Sequence, residues 1–225
     1  MYLLWTERPV RLPREEETHA WMEANRPWEK FGLELVFDNQ PGGWVRFSNV
    51  FADLWERCRE EATGFINVES DVVPNLEAFE EVLKCAEDVC LVPFIWSREG
   101  IWGAWIEERV PGGWNTRTAQ PGDRWAMEGD TGFVRFREGV PGRFQLLPTV
   151  RLKEVNGIMY SEVYKSIGRK IHLHWPNGTG LRNNHFYWDE GNFAQTPREL
   201  WPARWNDRAG IMDPRLKGPT SERQI

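Results

Sequence analysis

Residues 65–74 read Phe-Ile-Asn-Val-Glu-Ser-Asp-Val-Val-Pro, an apolar run that meets two carboxylates, Glu69 and Asp71, with one residue between them. Side chains alternate along a strand, so a strand carried through both acids points them to one side. Two carboxylates on one side repel each other unless a cation lies between them. Such a pair at a strand end suits a hard divalent ion, Mn²⁺ or Mg²⁺, which is usually held by one or two carboxylates plus substrate phosphates. A further acid, Asp38, with Asn39 beside it, ends the apolar run at 32–37. Late in the chain His172 and His174 share one side of a predicted strand, and His174, nearer its carboxyl end, is the better candidate ligand. Each group also has an ordinary reading. An acid-x-acid triplet is often solvated charge, and Asp38-Asn39 before Pro41-Gly42-Gly43 is ordinary turn chemistry.

The elements must decide between these readings. The pattern predicts strands at 2–6, 32–37, 65–68, 89–94, 132–137 and 170–174. It predicts helices at 14–30, 50–62, 75–87 and 159–167, the second capped by Ser48 or Asn49 and closed by Gly64. Strands that alternate with helices imply an α/β fold with a mostly parallel central sheet and helices on both faces. Ligands of such sheets bind beyond the carboxyl ends of the strands, where Asp38, Glu69 and Asp71 are predicted to stand. The stretch 95–130 holds Trp96, Trp102, Trp105, Trp114 and Trp125 among Gly and Pro, without clear periodicity. It reads as a long irregular segment, a lid or a sugar-stacking platform.

Composition narrows the classes. A chain of 225 residues with 40% hydrophobic residues fits one domain, expected over 1–196, with an irregular C-terminal tail at 197–225. No apolar run is long enough to span a membrane, and the start, MYLLWTERP, does not read as a signal peptide. The three cysteines, Cys58, Cys85 and Cys90, show no zinc spacing, and an odd number argues against a disulfide framework. A reducing, cytoplasmic setting follows as the simplest expectation. The formal charge of −6 disfavours bulk nucleic-acid binding. Fourteen tryptophans supply rings for a core or for flat sugar and base faces.

On these residues the chain resembles a GT-A type, Rossmann-like glycosyltransferase over roughly 1–195. The likeness is carried by Leu33–Phe37 ending in Asp38-Asn39, by the helix and Gly64 before the strand, and by Glu69-Ser70-Asp71 where the family has Asp-x-Asp. It is also carried by Gly129-Asp130-Thr131-Gly132-Phe133 and by the late run Gly168 to His174. The resemblance implies transfer of a sugar from a nucleotide-diphosphate donor to an acceptor. It implies Asp38, Asn39, Glu69 and Asp71 at the nucleotide, and Asp71, Glu69 and His174 at the metal. The family's late acidic pair is missing, since that place holds Asn156 and Gly157. Glu154, Glu162 and Asp130 are then the candidate catalytic bases. Nucleotidyl or phosphoryl transfer is an alternative, although no Gly-x-x-x-x-Gly-Lys loop is present. A non-catalytic carbohydrate-binding protein on the same fold is another.

Overall fold

The computed structural model describes residues 1–40, 43–94, 104–111, 113–126, 128–129, 132–143 and 171–183. Glu154, Glu162, Asp130, the predicted helix at 159–167 and the tail at 197–225 lie outside them.

Strand β1 (Tyr2–Thr6) leads into helix α1 (Pro13–Asn25) and the short α2 (Pro27–Phe31), then β2 (Glu34–Asp38). The single helix expected at 14–30 is therefore two. Proline disfavours helical geometry at the residue before it, and Arg26 indeed turns left-handed at φ 41° ahead of Pro27. Helix α3 (Gly43–Glu60) begins well before the predicted cap, so Ser48 and Asn49 lie inside it. Strand β3 (Phe65–Glu69), the short β4 (Val72–Val73), helix α4 (Leu76–Lys84) and β5 (Val89–Leu91) follow. Asn75 caps α4 by accepting the Ala78 N–H at 2.8 Å.

The stretch read as irregular is ordered in its larger part. Strands β6 (Ala104–Val110) and β7 (Gly113–Thr118) form an antiparallel hairpin, and β8 (Trp125–Ala126) and β9 (Glu128–Gly129) come next. Ala104 and Ile106 of the hairpin, with Ala119 and Ala126 after it, are buried in the core and anchor this part of the stretch. Residues 95–103 are outside the description. Strand β10 (Phe133–Phe136), the short helix α5 (Val140–Arg143), β11 (Ile171–Leu173), a 3-10 turn at Pro176–Gly178 and β12 (Arg182–Asn183) complete the order.

Among the described residues the central sheet has seven strands in the order β2-β1-β3-β10-β5-β11-β8. Strands β2, β1, β3, β5 and β11 run one way, and β10 and β8 run against them. The mostly parallel α/β sheet expected from the sequence is present, with one antiparallel strand inside it. Strand β3 is buried along its whole length, as an apolar strand of a two-sided sheet must be.

The two faces carry separate cores. On one face Leu3, Trp5, Ile66, Val68, Cys90 and Phe133 pack against Met22 of α1 and Ala78, Phe79 and Val82 of α4. On the other, Tyr2, Leu4, Phe65, Leu91, Val134 and Phe136 pack against Phe51, Leu54, Trp55 and Cys58 of α3. Trp5 and Trp55 are fully buried, so these two rings build the core and are not ligand platforms. Among the described residues no helix is long and apolar enough to cross a membrane.

Candidate functional site

The register places the acids. Thr6 pairs with Asp38 on one side and with Glu69 on the other, so the three residues form one row across β2, β1 and β3. Residues in register on neighbouring strands point to the same face, so Asp38 and Glu69 both point to the α3 side, about 10 Å apart across two strand spacings. Both are nearly buried, at 9% and 6% exposure. They terminate their strands at the carboxyl end of the sheet, where open α/β folds bind ligands.

Asp71 is placed by a different device. The strand ends at Glu69, and Ser70 and Asp71 form a turn before β4. Strand alternation therefore carries only as far as Glu69. The turn is held from three directions. The Glu69 N–H donates to the Gly132 carbonyl at 2.9 Å. Ser70 Oγ donates to Glu15 Oε1 at 3.1 Å, and β4 pairs antiparallel with β12. Glu15 is itself fixed, accepting the Leu12 N–H at 2.8 Å and pairing with Arg8 Nε at 3.0 Å. The β1–α1 loop is thereby tied to the acidic turn, and Asp71 is 7% exposed. The same loop meets β2, where the Glu7 N–H donates to the Asp38 carbonyl at 2.8 Å. Burial pushes the Glu7 carboxyl above its ordinary range, against the pull of His19, 2.9 Å away, and of Arg11. Asn39 is exposed just beyond β2.

His174 is not in this group, which corrects its assignment as a third ligand beside Glu69 and Asp71. His172 is in register with Cys90, Cys90 with Arg135, and Arg135 with Ile66. Ile66 and Glu69 are an odd number of residues apart and so face opposite ways. The histidines therefore lie on the α4 side of the sheet, three strands from Glu69. One ion cannot touch both.

There the fold assembles a cluster that the order of residues concealed. Cys85 caps the C-terminus of α4, Cys90 is on β5, and His172 and His174 are at β11. One ligand atom from each lies within 4.8 Å of the others. Cys85 Sγ is 3.2 Å from His172 Nδ1, which is 3.1 Å from His174 Nε2. Burial, with help from His172, pushes His174 down to about 4, so its contact with Glu81 at 3.3 Å is a neutral Nδ1–H donating to a carboxylate. Burial also lowers His172, with Arg124 adding to the effect, and raises the Cys90 thiol. The available signals were His-x-His on a strand and two cysteines flanking the start of another. Their meeting depends on β11 lying beside β5.

No family model matches this chain, and no curated protein matches it. Among solved structures, the A197 protein of STIV aligns with a TM-score of 0.47 and 12% identity, over 80% of this chain and 83% of that one. A glycosyltransferase involved in glycosylation of the major capsid of PBCV-1 aligns with a TM-score of 0.42 and 11% identity, over 81% of this chain and 92% of that one.

Proposed function

We propose that the chain transfers a sugar from a nucleotide-diphosphate donor, bound beyond the carboxyl ends of β1, β2 and β3. One observation carries this reading: three nearly buried acids, Asp38, Glu69 and Asp71, gathered at the ends of two parallel strands and in the turn that follows. Carboxylate oxygens at the carboxyl end of a parallel sheet are the donors that a hard divalent ion takes beside substrate phosphates.

Glu69 and Asp71 offer hard oxygen donors and fit Mn²⁺ or Mg²⁺; they are the residues that would hold it. When bound, such an ion neutralises charge that grows on a departing diphosphate. Asp38, two strands away on the same face, accepts hydrogen bonds from the donor's ribose hydroxyls. Glu15, Arg8 and Ser70 keep the turn at one position, so the acids need not reorganise when the nucleotide arrives. The acceptor's proton is assigned to a carboxylate among Glu154, Glu162 and Asp130 if configuration inverts. With Cys58, Cys85 and Cys90 all free of disulfides, a cytoplasmic setting suits this reading.

The test is calorimetric titration of nucleoside diphosphates with Mn²⁺, followed by hydrolysis of a panel of sugar nucleotides. Asp71→Asn and Glu69→Gln should keep their melting behaviour and lose Mn²⁺-dependent nucleotide binding at least tenfold. Wild-type affinity in both variants would overturn the reading. Cleavage of nucleotides without sugar transfer would favour nucleotidyl or phosphoryl transfer. Sugar binding without turnover would favour a binding protein.

A further inference from the structure

We infer that Cys85, Cys90, His172 and His174 form a structural zinc site on the α4 face of the sheet, separate from the acidic row. Four protein donors of the Cys2His2 kind satisfy tetrahedral Zn²⁺ completely and leave no open position, which marks a structural site and not a catalytic one. With Zn–S of about 2.3 Å and Zn–N of about 2.0–2.1 Å, the edges of such a tetrahedron measure about 3.3–3.8 Å. The donors already stand on that scale, at 3.1 and 3.2 Å for two pairs and within 4.8 Å for all.

The surroundings complete the argument. Glu81 receives the Nδ1–H of His174, which aims Nε2 at the cluster, as carboxylates do for zinc-bound histidines. Arg135, 1% exposed, places Nη2 3.2 Å from Cys90 Sγ and donates to the carbonyls of Val82, Cys85 and Glu87. This buried cation meets three carbonyls and a sulfur, and a metal-bound thiolate would supply it with a negative charge. Arg124, exposed, donates to His172 Nε2 at 3.3 Å. Without an ion these atoms form a relay, from Arg124 to His172 Nε2, from His172 Nδ1–H to His174 Nε2, and from His174 to Glu81. Binding Zn²⁺ releases the two thiol protons to solvent, moves the His172 proton to Nε2 and turns Arg124 aside. The ion would pin the end of α4 to β5 and β11.

The experiment uses the full chain purified without chelator, with zinc measured by elemental analysis and the site probed with Co²⁺. The expected results are one zinc ion per chain and a tetrahedral Co²⁺ spectrum with a thiolate charge-transfer band. Cys85→Ser, at the half-buried helix end, should lose that band while the chain still folds. Glu81→Gln should lower zinc affinity about tenfold or more. Arg124→Glu should raise it, by replacing a repelling cation with an acceptor for His172 Nε2–H. Glu69→Gln and Asp71→Asn should retain full zinc, which separates this site from the one proposed for nucleotide. A chain that takes up no stoichiometric zinc, a Co²⁺ spectrum without thiolate bands, or a Cys85–Cys90 disulfide as the native state would overturn the inference.

Discussion

Gly132 joins the packing of the sheet to the position of the acidic turn, and Gly132→Ala tests that link. The residue lies just before β10, and its carbonyl receives the Glu69 N–H at 2.9 Å. It does not take a positive φ, so alanine meets no backbone penalty there and the effect is one of space. A Cβ at this position would stand 2.3 Å from Phe94 Cε1 and 2.7 Å from Val72 Cγ2. Carbon atoms pack at about 3.5–4.0 Å, so each contact must open by about 1 Å. Phe94 and Val72 are both fully buried, and Phe94 bridges to Leu181 while Val72 pairs with Asn183, so neither has free space to enter. Overpacking of this kind costs about 1–3 kcal/mol. For a chain of this size that lowers Tm by about 2–12 °C. Val72 follows Asp71 directly, so the displacement should also weaken Mn²⁺-dependent nucleotide binding, about tenfold, measured by calorimetry well below both melting points. Removing the Val72 γ-methyls should make room, so Gly132→Ala with Val72→Ala should lose less than the sum of the single losses, by 0.5 kcal/mol or more on the ~0.5–3 kcal/mol scale of contact coupling. Unchanged melting in Gly132→Ala would refute the packing argument. Lowered melting with unchanged nucleotide affinity would refute the link to Asp71.

Two further outcomes follow from the same structure. Trp55 is fully buried with its ring 5.2 Å from Phe136 and 6.2 Å from Phe65, so Trp55→Ala should cost about 3–5 kcal/mol in urea unfolding. Phe65 starts β3 and Glu69 ends it, about 13 Å on, so the folded fraction should bind nucleotide as the wild type does. Asp123 is held below the usual carboxylate range by its bond to Arg117 at 2.6 Å and by the Gln120 N–H. A depressed acid stabilises the fold above its unfolded value, near 3.8, and loses that contribution as pH falls through the lower folded one. Asp123→Asn should therefore cost about 0.5–1 kcal/mol at neutral pH, discounted for partial exposure, and the gap to wild type should close in strong acid. A gap that is independent of pH would count against the ion pair.

Local pattern reached the strands and the acids but not the order of the sheet. Phe65–Val68 could be read because an apolar run between Gly64 and an acid has few other uses in an α/β chain. Asp38 and Glu69 could be placed at carboxyl ends because both close apolar runs. Whether His174 joined them was not readable. Alternation says that His172 and His174 share a face, but which face depends on their register with Cys90 and Arg135. That register follows from β10 entering antiparallel between β3 and β5, which nothing in Phe133–Phe136 announces. The hairpin was hidden for another reason. Ala104–Val110 runs three apolar residues and then three charged ones, without the alternation that marks a half-buried strand, and the Trp, Gly and Pro around it read as a loop.

The placement of donors by face has a chemical consequence. Oxygen donors alone, as Glu69 and Asp71 offer, suit Mg²⁺ or Mn²⁺, yet Zn²⁺ binds most mixed sites more tightly than either. An open carboxylate site of the kind proposed gains if softer ions are bound elsewhere. Sulfur and imidazole donors collect on the α4 face, and the carboxylates of Asp38 and Glu69 on the α3 face, with the sheet between them. Had His174 joined the acids, as its spacing alone allows, an imidazole would have tilted the proposed nucleotide site toward zinc. Its turn to the other face leaves that site with oxygen ligands, so Mn²⁺ should support nucleotide binding while Zn²⁺ goes first to Cys85, Cys90, His172 and His174.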